Sequence, residues 1–322
     1  MMNRAYLQDD LPPGTLALVK AWSERLDAQG LASDTLYVLV DGAILGNEGM
    51  QHLRSAYGAA VHVFEATALA DYEDLGLLLW PWRRLHAKDG LETLRTALAG
   101  KPGVSFVCSA ARLPALCATL AWLAAVETRD GMPLYLRIGD TRVLGGFLRH
   151  VRPAQEARLH PVVSEWAWPG RNGRLRSVVT EPVSAAQADT PTLVLDDAQY
   201  AALLDEAEVD MLHAGMRTIE AGWTDKRSGS ELHQWLQAVS KKMRALGISH
   251  QKDQWAFVSL ALRAPDGFET LPELGESWLR VRSAAAQLHE EIARWDAVQW
   301  QALTRLANAK AAAIAIPSKG SR

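Results

Sequence analysis

The sequence predicts two lobes, an α/β N-terminal lobe with a mixed, mainly parallel sheet and flanking helices, then a mainly α-helical C-terminal lobe. Three observations carry this. Short, continuously apolar runs rich in β-branched residues recur through the first half, separated by stretches of helical periodicity. A pair of strand-like runs joined by a turn follows Pro161. Beyond Thr192 the pattern is almost wholly helical.

Leu16, Leu18, Val19, Trp22 and Leu26 stand close to helical spacing within Thr15 to Gln29, and Gly30 stands where a helix would stop. Leu36-Tyr37-Val38-Leu39-Val40 then reads as a strand buried on both faces, ending in an Asp41-Gly42 turn. Similar runs lie at Val61 to Phe64, Val104 to Cys108 and Leu134 to Ile138, with helical patterns at Leu91 to Leu98, Leu113 to Val126 and Arg142 to His150. Val162 to Trp168 and Arg174 to Val179 form the terminal strand pair, joined through Asn172-Gly173. Residues 183–190 are mostly small and polar without periodicity, so they are read as a linker between lobes 1–182 and 191–322. A short strand at Thr192 to Leu195 opens the second lobe. Helices are expected at Asp197 to Ile219, Ser230 to Leu246 and Asp253 to Arg263, and one long helix from Glu276 to about Ile314. In that last stretch Trp278, Val281, Ala285, Leu288, Ile292 and Trp295 make one apolar stripe, which suits a helix laid across its own lobe.

The bulk numbers narrow the function. At 322 residues and 48% apolar content the chain is long enough for two cores, and a formal charge of −3 offers no long-range attraction to phosphate. Neither nucleic acid nor membrane is an expected partner. Met1 to Leu11 lacks the apolar core of a signal peptide, so a cytoplasmic location is expected. Cys108 and Cys117 match no zinc or redox spacing and read as buried thiols in a reducing compartment.

Recognisable chemistry is sparse. Ser109 follows a strand but lacks the glycines of a nucleophile elbow, and no phosphate-cradling glycine loop occurs. No two histidines stand four apart on a helix; His150 and His160 flank Pro153 without making a persuasive metal pair, so neither metal nor cofactor is expected. Asp41, at the C-terminal end of a buried strand, is the best acid/base candidate, although an Asp-Gly after a strand more commonly accepts backbone hydrogen bonds. Arg137, Asp140 and Arg142 add charges where a strand meets a helix start, and buried charges must pair. Asp140 suits a helix N-cap. Twelve tryptophans are many for this length, and Trp80 with Trp82 and Trp166 with Trp168 have the spacing that puts both rings on one side of a strand. Such rings fill cores, and they are also enriched at binding hot spots, which makes these four candidate interface aromatics.

Three segments, in order, resemble the type VI secretion effector adaptors, or effector chaperones. Leu36 to Ala43 resembles their opening strand motif, Leu136-Arg137-Ile138-Gly139-Asp140-Thr141-Arg142-Val143-Leu144 their second, and His160-Pro161-Val162 with Trp166 the Gly-Pro and Trp near the lobe's end. The family often has an aromatic where Ile138 stands, a Pro at Leu77 and a Gly at His160. The resemblance implies a non-enzymatic adaptor that binds one toxic effector protein and brings it to the C-terminal region of the trimeric VgrG spike. The competing expectation is an α/β enzyme using Asp41 and Arg137 on a small acidic substrate.

Overall fold

The computed structural model describes residues 6–11, 13–28, 36–72, 75–82, 90–98, 100–109, 111–180, 192–219, 226–264 and 266–315. The proposed linker 183–190 lies outside them. The chain divides into two compact units. One runs from Arg4 to Glu208 and takes in Arg227–Ser230; the other holds Val209–Lys226 and the residues from Glu231 onward. The division therefore falls inside a helix and not at 183–190.

In the first unit, α1 (Pro13–Ala28), β1 (Leu36–Asp41), α2 (Gly42–Tyr57), β2 (Val61–His62), β3 (Leu77–Pro81), α3 (Gly90–Leu98) and β4 (Val104–Ser109) come first. They are followed by α4 (Leu113–Ala124), β5 (Ala125–Thr128), β6 (Pro133–Tyr135), α5 (Thr141–His150), α6 (Pro153–Leu159), β7 (Val163–Pro169), β8 (Leu175–Val179) and β9 (Leu193–Leu195). Six strands form one sheet in the order β2-β3-β1-β4-β7-β8, and a smaller sheet has the order β6-β5-β9.

Every pairing in the six-stranded sheet is antiparallel; the parallel pairing among the described residues is β5 with β9. This corrects the mainly parallel sheet expected from the sequence. The continuous apolar runs arise because both faces are covered. Leu36, Val38 and Val40 enter one core with Val19, Trp22 and Leu26 of α1, Leu53 of α2 and Leu98 of α3. Tyr37 and Leu39 enter the other with Leu120 of α4, Phe147 of α5 and Leu159 of α6. Burial on both faces writes the same residues whichever way the neighbour runs.

Two further differences follow from local chemistry. Asp41-Gly42 opens a helix, α2, which the sequence hid behind Gly42, Gly46 and Gly49; Gly46, at φ 72°, kinks it. The run Leu134 to Ile138 is a strand only at β6, and it pairs in the smaller sheet.

Helix α7 (Asp197–Ile219) runs from the first unit into the second, which continues with α8 (Gly229–Ala245), α9 (Gln251–Arg263), α10 (Gly275–Arg282), α11 (Leu288–Arg294) and α12 (Ala297–Ala315). Phe257, Phe268 and Trp278 meet ring against ring, with centroids 5.2 to 6.1 Å apart. The single long helix expected from Glu276 to Ile314 is instead three. Ala284 turns to φ 54°, and Ala285 donates back to the Arg280 carbonyl at 2.9 Å, closing α10. Asp296 opens α12 by accepting from the Val298 N–H at 2.7 Å. Of the apolar stripe, Trp278, Val281, Leu288 and Trp295 are buried and Ile292 is half-buried, while Ala285, at the first break, is exposed. No helix among the described residues is long and apolar enough to cross a membrane.

Candidate functional site

Asp41 lies where β1 ends and α2 begins, 1% exposed. Its Oδ1 accepts from the Ile44 N–H at 3.0 Å, the capping bond of α2. Arg137, just after β6, reaches both of its oxygens through one nitrogen, Nη2, at 3.1 and 3.2 Å. The approach depends on Gly139. A Cβ there would stand 2.5 Å from Leu77 Cδ2 and 2.8 Å from Asp41 Cβ, so the turn presses on the carboxylate only because this residue has no side chain. Burial pushes the Asp41 carboxyl above its ordinary value, and Arg137 only partly pulls it back. For Arg137, whose side chain is 41% exposed, burial works against the charge but Asp41 more than offsets it, and its pKa rises.

Asp140 caps α5 by accepting from the Arg142 N–H at 3.0 Å, and the Arg142 side chain returns to the same carboxylate at 2.9 and 2.6 Å. The Arg142 guanidinium also stands 5.0 Å from the centre of the Tyr6 ring. Asp140 donates its N–H to the Arg137 carbonyl at 2.9 Å, which links the two pairs through the backbone, and its charge adds to the upward push on Asp41. The four predicted charged residues are thus together, as two ion pairs at the starts of α2 and α5. Tyr135, beside them, has its hydroxyl pushed up to about 12, chiefly by burial and then by the Asp41 charge.

The candidate interface aromatics are placed differently. Trp80, Trp82, Trp166 and Trp168 are all buried, at 7% exposure or less. Trp80 donates to the Gly58 carbonyl at 3.1 Å and Trp166 to Ser105 Oγ at 3.0 Å, while Trp82 meets Phe106 edge-on at 5.8 Å. They fill the two cores, so the surface reading is corrected: the even spacing reported which face of the sheet each pair covers. A further buried carboxylate escaped the sequence. Glu165 on β7 accepts from Trp22 Nε1 at 2.7 Å and from Arg25 at 2.8 Å, and its only signal was a charge within an apolar strand.

Two large apolar side chains are exposed at the β6 edge of the smaller sheet, each 44%: Tyr135, which ends β6 beside the charged pairs, and Met132, which precedes β6. At the opposite edge Trp122, Arg152, Gln155, Val194 and Asp196 line a hollow of about 370 Å³, with Arg152 bound to Asp196 through two bonds of 2.8 and 2.9 Å.

The geometry meets the comparison with known families at one place. Residues 36–158 match a domain of unknown function, DUF4123. That family is known from type VI secretion effector adaptors. The match begins at the first residue of β1 and includes both ion pairs, the smaller sheet's β5 and β6, and α5. Comparison with curated proteins and with solved structures returns no match.

Proposed function

We propose that this chain is a cytoplasmic, non-enzymatic adaptor that binds a toxic effector of the type VI secretion system and loads it onto the C-terminal region of the VgrG spike. The observation that carries the reading is the DUF4123 match over the segment that contains Asp41, Arg137, Asp140 and Arg142. The state of those residues agrees with it. Both oxygens of Asp41 are taken by Arg137, one also by the Ile44 N–H, and Gly139 closes over the carboxylate. A general base must reach a substrate proton within hydrogen-bond distance. This carboxylate is spent on holding a loop, which speaks against the competing enzyme reading. The pairs fix the turn after β6, and that turn carries the half-exposed Arg137 next to the exposed Tyr135 that ends β6, a surface that combines an apolar contact with a cation.

Co-expression of the chain with an effector encoded beside it, and separately with the C-terminal part of the neighbouring spike, is expected to yield complexes that survive gel filtration. Tyr135→Ala combined with Met132→Ser should weaken effector capture at least tenfold, or about 1.4 kcal/mol, with unchanged thermal unfolding. Failure to form either complex would remove the proposal.

A further inference from the structure

In the second unit three side chains with metal-ligand chemistry converge, far in sequence from the DUF4123 segment. His250 is the N-cap residue of α9, Asp253 lies in that helix's first turn, and His289 stands at the start of α11. One nitrogen of each imidazole and one oxygen of the carboxylate lie within 4.8 Å of one another. Asp253 is 6% exposed and accepts, on Oδ1, both the backbone N–H of His289 at 2.9 Å and its Nδ1 at 2.6 Å. The two rings stack, with centroids 6.1 Å apart and planes 18° apart. The His250 side chain makes no capping bond and is exposed, so its ring is not committed to the helix.

We propose that His250, Asp253 and His289 form a three-ligand site for a divalent transition metal of the zinc and cobalt class, which clasps the start of α9 to the start of α11. The donor set selects that class. Two neutral imidazoles and one carboxylate suit zinc, cobalt or nickel, whereas calcium takes six to eight oxygens and magnesium an octahedron of oxygens. Tetrahedral ligands about 2.1 Å from zinc lie roughly 3.4 Å from each other. The Asp253–His289 pair has to open by less than about 1 Å, and the exposed His250 ring has to swing inward, to reach that spacing. Asp253 is held by the His289 backbone as well as by its ring, so the carboxylate stays in place when the metal replaces the proton between it and Nδ1. That proton is released from Nδ1 to solvent as the metal takes the nitrogen. A fourth position is left for water or for a side chain of another protein.

The site is independent of the adaptor reading, and its test needs no effector. Full-length protein freed of any histidine tag is titrated with Co²⁺ while the visible d–d absorption is followed, and the bound cobalt is then displaced with Zn²⁺. One cobalt per chain is expected, with the intense bands of four-coordinate geometry, and Zn²⁺ should raise the thermal unfolding temperature. His250→Ala alters an exposed ring that caps nothing and leaves the fold intact; it should weaken cobalt binding by more than about 10-fold, a loss that even outer-shell partners cause. Asp253→Asn should do the same. No saturable binding at one metal per chain, or binding unchanged in His250→Ala, would overturn the site and assign any metal uptake to scattered surface histidines.

Discussion

Asp41 shows how far one carboxylate's neighbours decide its behaviour. Its pKa lies above the ordinary 3.8 because burial outweighs Arg137, so in the window above 3.8 the folded chain binds more protons than the unfolded one. Stability from this group is therefore full below 3.8 and is lost as pH rises through the raised value. Asn at this position keeps an oxygen for the Ile44 N–H and removes the titration. Asp41→Asn should accordingly unfold at a temperature no lower than the parent at pH 7, and the parent should lose ground to it between pH 4 and pH 7 in a series of thermal melts. Arg137→Ala acts in the opposite direction. It leaves Asp41 buried without its counter-charge, steepens the same slope, and should cost about 1–2 kcal/mol at pH 7, less than a fully buried pair because Arg137 reaches water. That these residues pair was legible in the sequence, since charges at the junction of strand and helix need partners. Which partner each takes was not, because it depends on Gly139 letting the turn close.

At the scale of elements, burial was easier to read than direction or continuity. The apolar runs at β1 and β4 announced strands covered on both sides, but strand direction leaves no trace in such runs. Likewise the three-four stepping from Trp278 to Trp295 announced a buried face without revealing that two turns interrupt the helix. The join between α10 and α11 is instead marked by Glu291, wholly buried on α11 and bound to Arg280 of α10, with Arg294 of its own helix at 3.2 Å. Burial pushes the Glu291 carboxyl up, but the bond and charge of Arg280, then Ser277 and Arg294, bring it below its ordinary 4.5. A depressed carboxyl stabilises above 4.5 and loses that contribution as pH falls through the lowered value. Glu291→Gln should therefore cost about 1–3 kcal/mol at pH 7, the range for a charge-assisted bond lost in the interior. The gap between variant and parent should narrow steadily as urea melts are repeated from pH 5 down to pH 3. The His250–Asp253–His289 cluster is invisible at this scale for a related reason: a spacing of three and a partner 36 residues on make no recognisable motif until α9 and α11 pack.

For the whole molecule, the decisive segment is β9 with the first part of α7. Composition put a boundary at 183–190, and a polar, aperiodic stretch is a reasonable place for one. Yet β9, just after it, pairs with β5, and both Leu193 and Leu195 are buried in the core of the first unit. Leu203 of α7 packs on that core, and the Glu206 carboxylate meets Arg149 and His150 of α5. Chain continuity therefore misleads: the first unit closes only with residues from beyond the polar, aperiodic stretch. This separates two truncations that the sequence would treat alike. A chain ending at residue 182 lacks β9 and leaves uncovered the surface that Leu193 and Leu195 bury, at about 2–5 kcal/mol for each large apolar side chain lost. That is a large share of the total stability of a domain, roughly 5–15 kcal/mol. A chain ending at Ile219 keeps β9 and α7 and gives up, within this unit, the Arg227–Ser230 segment, whose Ser230 N–H and hydroxyl bind the Asp9 carboxylate at 3.0 and 2.5 Å. Far-ultraviolet circular dichroism in urea should show a cooperative transition for the chain ending at Ile219. For the chain ending at residue 182 it should show an early, shallow one, and equal midpoints for the two would mean that β9 contributes nothing to the unit.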